Sequence, residues 1–232
     1  DLVLNATAGA GGAANDDLAS ATPISVLPFV DLIDLQAAGI EVGEASASCA
    51  GRLPRGAWFR YVSPADTRVR FDVAGTAFNV ALSVWVGDRH PLQEVSCAVL
   101  EPGPDVTGSL ALHLAAGVPY LIKIEGWLLD LEGPTAEVTV HASPVTAEPP
   151  GDDLADAVPI SAVPFEDRRD VGNATAEPFE GAPDCHSLVH HAVWYRYRPE
   201  ADGRVRFGIA GSAYGMGLSV WKGERHPLQI VA

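Results

Sequence analysis

Apolar and polar residues alternate along much of this chain with a period of two. In "TRVRFDVA" (67–74), Val69, Phe71 and Val73 alternate with Arg68, Arg70 and Asp72, which is the pattern of a strand with one buried and one wet face. "AWFRYV" (57–62), "VALSVWVG" (80–87), "GSLALHLAAG" (108–117), "VPYLIKIEG" (118–126) and "AEVTVHA" (136–142) continue it, with Tyr120, Ile122 and Ile124 facing one way and Lys123 and Glu125 the other. Gly, Pro and Asp punctuate the runs, and no stretch keeps a helical period. About eight or nine such strands joined by turns predict an all-β fold of antiparallel β-sandwich or jelly-roll-like domains.

The same pattern occurs twice. "LSVWVGDRHPLQEV" begins at Leu82 and "LSVWKGERHPLQIV" at Leu218, and sliding the chain by 136 positions aligns residues 1–96 with 137–232, 40 of the 96 pairs being identical. A period of 136 is too long for solenoid units and fits a string of whole domains. "DLVLNA" at 1–6 falls opposite "EVTVHA" at 137–142, so the register divides the chain into 1–6 as the last strand of a preceding repeat, 7–14 as linker, 15–142 as a complete repeat, 143–151 as a Pro-rich linker and 152–232 as an incomplete second repeat. A sandwich without its final third exposes open core and unpaired edges. The expectation is therefore a longer tandem array.

Charge narrows the partners. Asp and Glu total 30 against 15 Lys and Arg, a net charge of −15. Such a surface repels nucleic acid and anionic membrane, and no apolar run is long enough to insert into a bilayer. Three cysteines become economical under the repeat: Cys49 and Cys97 share one unit and Cys185 repeats Cys49. That predicts a Cys49–Cys97 disulfide in a secreted protein, with Cys185 a half-pair whose partner lies outside the chain. Buried free thiols are the alternative.

Asn15-Asp16-Asp17-Leu18-Ala19 with Pro23-Ile24, Ala57-Trp58-Phe59-Arg60-Tyr61, Gly75-Thr76-Ala77-Phe78 leading into Leu82-Ser83-Val84-Trp85-Val86-Gly87, and Gly117-Val118-Pro119-Tyr120-Leu121-Ile122 together resemble the bacterial pre-peptidase C-terminal domain. "VWYRYRPEADGRVRFGIAGSAYGMGLSVWKG" in the second copy resembles it further. The resemblance implies a jelly-roll-like β-sandwich on secreted proteins, used for binding or as a spacer and without catalysis of its own. Members commonly carry an Asn-Asp-Asp cluster after the cysteine that ends the corresponding strand. Here Cys97 leads into Ala98-Val99-Leu100-Glu101-Pro102-Gly103-Pro104-Asp105, so a calcium site is not expected at that loop.

Calcium, the one candidate cofactor, points instead to the start of each unit. Asp16, Asp17, Asp31 and Asp34 recur as Asp152, Asp153, Asp167 and Asp170, and four carboxylates plus carbonyls could satisfy its six to eight oxygens if they converge. Turn, cap and solvated roles are the alternative. "CHSLVHH" at 185–191 places His186, His190 and His191 near Cys185, a zinc-like set, yet the other copy reads "CAGRLPRG", which favours an exposed loop. His90 and His226 order turns before Pro91 and Pro227. No nucleophile elbow, zinc-protease helix or phosphate loop is present, and Ser83 and Ser219 read as packing positions. Trp58 and Trp194 read as core anchors. Trp85 and Trp221, out of phase with the Leu-x-Val face, are either exposed stacking aromatics for a ligand or ordinary packing.

The expected function is a non-catalytic extracellular tandem repeat at the cell surface, a structural or adhesive element of an array or filament. Its partners are neighbouring repeats or copies of itself, head to tail. A polysaccharide- or protein-binding accessory module of a secreted hydrolase is the alternative.

Overall fold

The alternation in the first repeat is realised as nine strands: β1 Thr22–Ile24, β2 Phe29–Asp34, β3 Arg55–Val62, β4 Thr67–Ala74, β5 Val80–Val86, β6 Gln93–Leu100, β7 Gly108–Leu114, β8 Pro119–Gly126 and β9 Glu137–Pro144. The structure is a computed structural model in which residues 13–44, 46–50, 55–75, 78–100, 108–126, 136–180, 191–211 and 216–231 are described. The strand expected at 1–6, Glu101, Asp105, Cys185, His186 and His190 lie outside those residues.

The strands form two sheets, one ordered β1-β3-β8-β5-β6 and the other β2-β9-β4-β7. All pairs within them are antiparallel except β1 with β3. Because side chains alternate across each strand, one set from each sheet meets in the middle. Phe59, Leu82, Val84, Ile122 and Ile124 from the first sheet pack on Val69, Phe71, Leu110, Leu112 and Val140 from the second. Every one of these is fully or almost fully buried. This is the β-sandwich that the period-two pattern predicts.

The second repeat reuses the pairings. β10 Val158–Ile160 and β11 Tyr195–Tyr197 run parallel with Val158 opposite Tyr195, one period on from Thr22 opposite Phe59. β12 Trp221–Lys222 and β13 Gln229–Ile230 pair Trp221 with Ile230, as Trp85 pairs with Glu94. Gly87 and Gly223 both take positive φ, 129° and 142°. At each, a β-carbon would meet a leucine side chain, Leu92 at 2.9 Å and Leu228 at 2.7 Å, so the tight turn before "HPLQ" requires glycine twice. The inward-facing positions differ: Val205, Phe207, Ile209 and Leu218 are exposed, whereas Val69, Phe71, Val73 and Leu82 at the same register are buried. In the first repeat β7, β8 and β9 cover that face.

One expectation is corrected on the outer face of the five-stranded sheet, which is covered and not wet. Glu44 and residues 46–50 lie over it, and Ala47 and Ala50 form a second apolar cluster with Trp58, Ala81, Trp85, Cys97 and Leu121. Lys123 and Glu125 point into this layer at 1% and 0% exposure. They persist there because they are paired: Lys123 Nζ lies 2.8 Å from Glu44 Oε1 and 2.5 Å from Glu125 Oε1, and 5.0 Å over the Trp58 ring. Trp58 Nε1–H donates to Glu44 Oε1 at 2.9 Å, and the Ala47 amide donates to Glu125 Oε2 at 3.2 Å. Burial raises the Glu125 carboxyl above its ordinary value, against the opposing pull of Lys123. The Cys49–Cys97 disulfide, with α-carbons 6.0 Å apart, ties the covering loop to β6. Ser48 adds two hydrogen bonds to Glu94.

Candidate functional site

The two repeats meet at the free edge of β7. The segment 174–176 of the second repeat lies beside that edge: the Ala176 amide donates to Ala111 O at 2.8 Å, and the His113 amide donates to Ala176 O at 3.0 Å. Leu112 and Ala176 are therefore bridged in parallel fashion. Ala174, Thr175 and Ala176 are buried as a result. A sheet edge presents unpaired amides and carbonyls, and the second repeat satisfies some of them.

Charges lock this contact. Arg68 on β4 donates from Nε to Asp152 Oδ2 at 2.8 Å and from Nη2 to Asp153 Oδ2 at 2.5 Å, with Glu148 at 3.6 Å. His113 Nδ1 lies 3.1 Å from Asp153 Oδ1. Asp152 reaches back into its own repeat, accepting from the Thr175 amide and hydroxyl at 2.6 Å each. Arg70 Nη2 donates to Gly172 O at 2.7 Å. Asp152 and Asp153 are buried, a position that carboxylates hold only when paired and hydrogen-bonded.

Burial pushes the Asp153 carboxyl up, but the hydrogen bonds and charges of His113 and Arg68 outweigh it and hold it below the ordinary value. The hydrogen bond to Asp153 raises His113, against partial desolvation and the nearby Arg68 charge, with Asp66 adding to the rise. For Arg68, burial is outweighed by Asp152, Asp153 and Glu148, and its already high value rises further. The two titrating partners bound a pH window. A lowered carboxylate contributes stability that is present above its unfolded value, about 3.9, and is lost as pH falls through the lowered one. A raised imidazole contributes stability that is full below about 6.5 and is lost as pH rises through the raised value. Junction stability should therefore be greatest between these limits. Calorimetric unfolding should show a decline as pH rises from about 6.5 that disappears in His113→Gln; a decline that persists in that variant would remove His113 from the junction's energetics.

The predicted calcium ligands divide between different tasks. In the first repeat Asp16 Oδ2 accepts from the Gly39 amide at 3.0 Å, the local equivalent of Asp152 with Thr175, and Asp17 is exposed. Asp31 Oδ1 accepts from the Leu32 amide, and Asp34 Oδ1 from the Gln36 amide, each at 2.9 Å. Asp170 repeats the Asp34 turn with Gly172 at 2.9 Å, while Asp167 pairs with Arg169 at 2.7 Å and accepts from the Tyr195 hydroxyl at 3.1 Å. Among the described residues no group of three or more His, Cys, Asp or Glu is gathered to hold a metal ion.

The aromatic expectations separate as well. Trp85 is buried at 4% exposure, donates to Ser83 Oγ at 2.9 Å and meets Trp58 edge-on at 6.5 Å, so it packs and offers no stacking face. The loop over β5 and β6 supplies the cover that its phase did not reveal. Trp221 repeats the bond with Ser219 at 2.8 Å and is half-buried. Trp58 anchors the outer cluster and not the intersheet core. His90 and His226 pack edge-on against Trp58 and Trp194 at 6.0 and 5.7 Å and approach Glu41 and Glu177 at 3.5 and 3.3 Å. His191, the described member of "CHSLVHH", has Nδ1 2.6 Å from Ala174 O.

Sequence reasoning missed Arg68, Arg70 and His113 as site residues. A signal existed for the arginines, since Arg68 and Arg70 recur as Arg204 and Arg206 just as the aspartate pair recurs. His113 carried none.

No known family model matches the chain, and no curated protein sequence matches it. Among solved structures it is similar to a periplasmic inhibitor of g-type lysozyme from Aeromonas hydrophila at 14% identity, covering 53% of this chain and 95% of that one with a TM-score of 0.33. It is also similar to a β-(1,4)-mannanase from Podospora anserina at 15% identity (53% and 29% covered, TM-score 0.26). A third is a cycloisomaltooligosaccharide glucanotransferase from Paenibacillus sp. at 13% identity (56% and 20% covered, TM-score 0.26). No helix among the described residues is long and apolar enough to cross a membrane.

Proposed function

We propose that this protein is a non-catalytic structural element of an extracellular tandem array, whose sandwich repeats dock on one another by strand addition and a charged clasp. The observation that carries this reading is the junction itself. Arg68 and His113 of one repeat grip Asp152 and Asp153 of the next, and the backbone of 176 extends the sheet of its predecessor. A spacer needs neighbours held at a fixed angle, and a contact made of directional hydrogen bonds to buried carboxylates supplies that where a flexible linker does not. The Cys49–Cys97 disulfide supports an oxidising location.

A double-mutant cycle on Arg68→Ala and Asp153→Ala tests the reading. If the repeats act as one mechanical unit, urea unfolding should give a coupling of about 1 kcal/mol or more, within the range for residues that share a hydrogen-bonded pair. Purely additive effects would mean that the repeats are independent beads, and the array reading would fail.

A further inference from the structure

Lys123 and Glu44 meet where ions are costly to keep. Their side chains are 1% and 2% exposed, with Nζ 2.8 Å from Oε1, in the layer that Ala47, Ala50, Trp58, Trp85 and Leu121 make apolar. Glu44 receives two further donors, the Trp58 indole on Oε1 at 2.9 Å and the Glu41 amide on Oε2 at 3.0 Å. These hold the carboxyl against the amine and draw charge from it. Glu125 places Oε1 2.5 Å from the same Nζ, and the Ala47 amide holds its Oε2 at 3.2 Å. An amine, a polarised carboxyl and a second carboxyl within proton-transfer distance are the parts that amide condensation requires.

We propose that Lys123 and Glu44 condense to an amide inside the folded repeat, with Glu125 as the proton carrier, so that a covalent cross-link joins the covering segment to β8. The reaction balances without another reactant. Nζ attacks Cδ of Glu44, the C–N bond forms and the Cδ–Oε2 bond breaks. Of the three protons on the Lys123 ammonium, one stays on the amide nitrogen and two are carried to Oε2, which leaves as water. Oε1 becomes the amide oxygen and keeps the Trp58 indole, and Glu125 ends as it began. Burial raises the Glu125 carboxyl, against the pull of Lys123, so it takes up a proton more readily than an exposed glutamate does. The direction follows from the surroundings: a buried cation and a buried anion are exchanged for a neutral amide. Orientation supplies the rate, since groups held in this way react at effective molarities that reach about 10⁵–10⁸ M. The ion cluster is the state in which the repeat first folds, and the bond forms from it afterwards. Once formed, it closes a ring that contains β3 to β7 and stands beside the Cys49–Cys97 disulfide as a second staple on the same loop.

Intact mass of the full chain, taken after reduction of the disulfide, reads the outcome, because linked chain is lighter by one water. Closure of Asp202-Gly203 to a succinimide loses the same mass, so peptide mapping must place the link, and trypsin should no longer cleave after Lys123. Folded wild-type protein kept at neutral pH should become linked between Glu44 and Lys123, whereas chain kept in urea should not; this comparison needs no variant. Glu125→Gln retains the amine and the Glu44 carboxyl but cannot carry protons, and it should form the link at least about a hundredfold more slowly. Tryptophan emission like that of wild type shows that this variant is folded. A folded wild-type chain that keeps its full mass, a link mapped to another pair, linkage as fast in urea as in the folded state, or a folded Glu125→Gln chain that links as fast as wild type would each overturn the proposal.

Discussion

Replacing Lys123 by methionine is expected to destabilise the first repeat by about 3–5 kcal/mol, the usual consequence of removing one partner from a buried ion cluster. Lys123 is the one cation shown between Glu44 and Glu125 in the layer beneath residues 46–50, and the variant leaves two carboxylates without it. The second repeat illustrates the difficulty. Glu180, at the register of Glu44, has its carboxyl pushed up to about 7, chiefly by burial. Changing all three residues, Lys123→Met with Glu44→Gln and Glu125→Gln, removes the charges while keeping acceptors for the Trp58 indole and the Ala47 amide. The triple variant should therefore regain more than half of the loss. Urea midpoints with unchanged slope decide it; a single variant within about 1 kcal/mol of wild type would show that water reaches the cluster and that the loop does not seal it.

The second large effect belongs to the disulfide. Cys49 and Cys97 are 48 residues apart, and opening a loop of that length is worth about 4 kcal/mol in the chain-entropy description. Cys49→Ala with Cys97→Ala should lower stability by about that amount. It should also loosen residues 46–50, so quenchers should gain access to the indoles of Trp58 and Trp85, which pack under this loop. If stability falls while quenching is unchanged, the bond acts on the unfolded chain alone. If neither changes, the hydrogen bonds from Ser48 to Glu94 suffice to hold the loop.

Much of the fold is legible in particular strands. The alternation of Val69, Phe71 and Val73 with arginine and aspartate defines β4 and its inward face, and the 136-residue register places the same parallel pairing at Thr22–Phe59 and Val158–Tyr195. The outer layer was not legible. Lys123, Glu125 and Trp85 lie on the sheet face that alternation marks as wet, and what buries them is a loop more than 30 residues away in sequence with no periodicity of its own. The junction was half legible. Repetition singles out Asp152 and Asp153, but a carboxylate has the same appearance in sequence whether it faces calcium or arginine. Its partner Arg68 lies 84 and 85 residues upstream, and the chain must fold before the choice is made.

The bridge between Leu112 and Ala176 has a bearing on solubility. β7 is the outermost strand of the four-stranded sheet, and its Ala111 carbonyl and His113 amide are the groups through which stray chains would add to form intermolecular β-structure. Here the next repeat occupies them, and the register is fixed by a clasp that an unrelated strand does not reproduce. In a succession of such units, each later repeat acts as gatekeeper for the one before it. For this one of the sandwich's edges, exposure is then confined to the last unit of the succession.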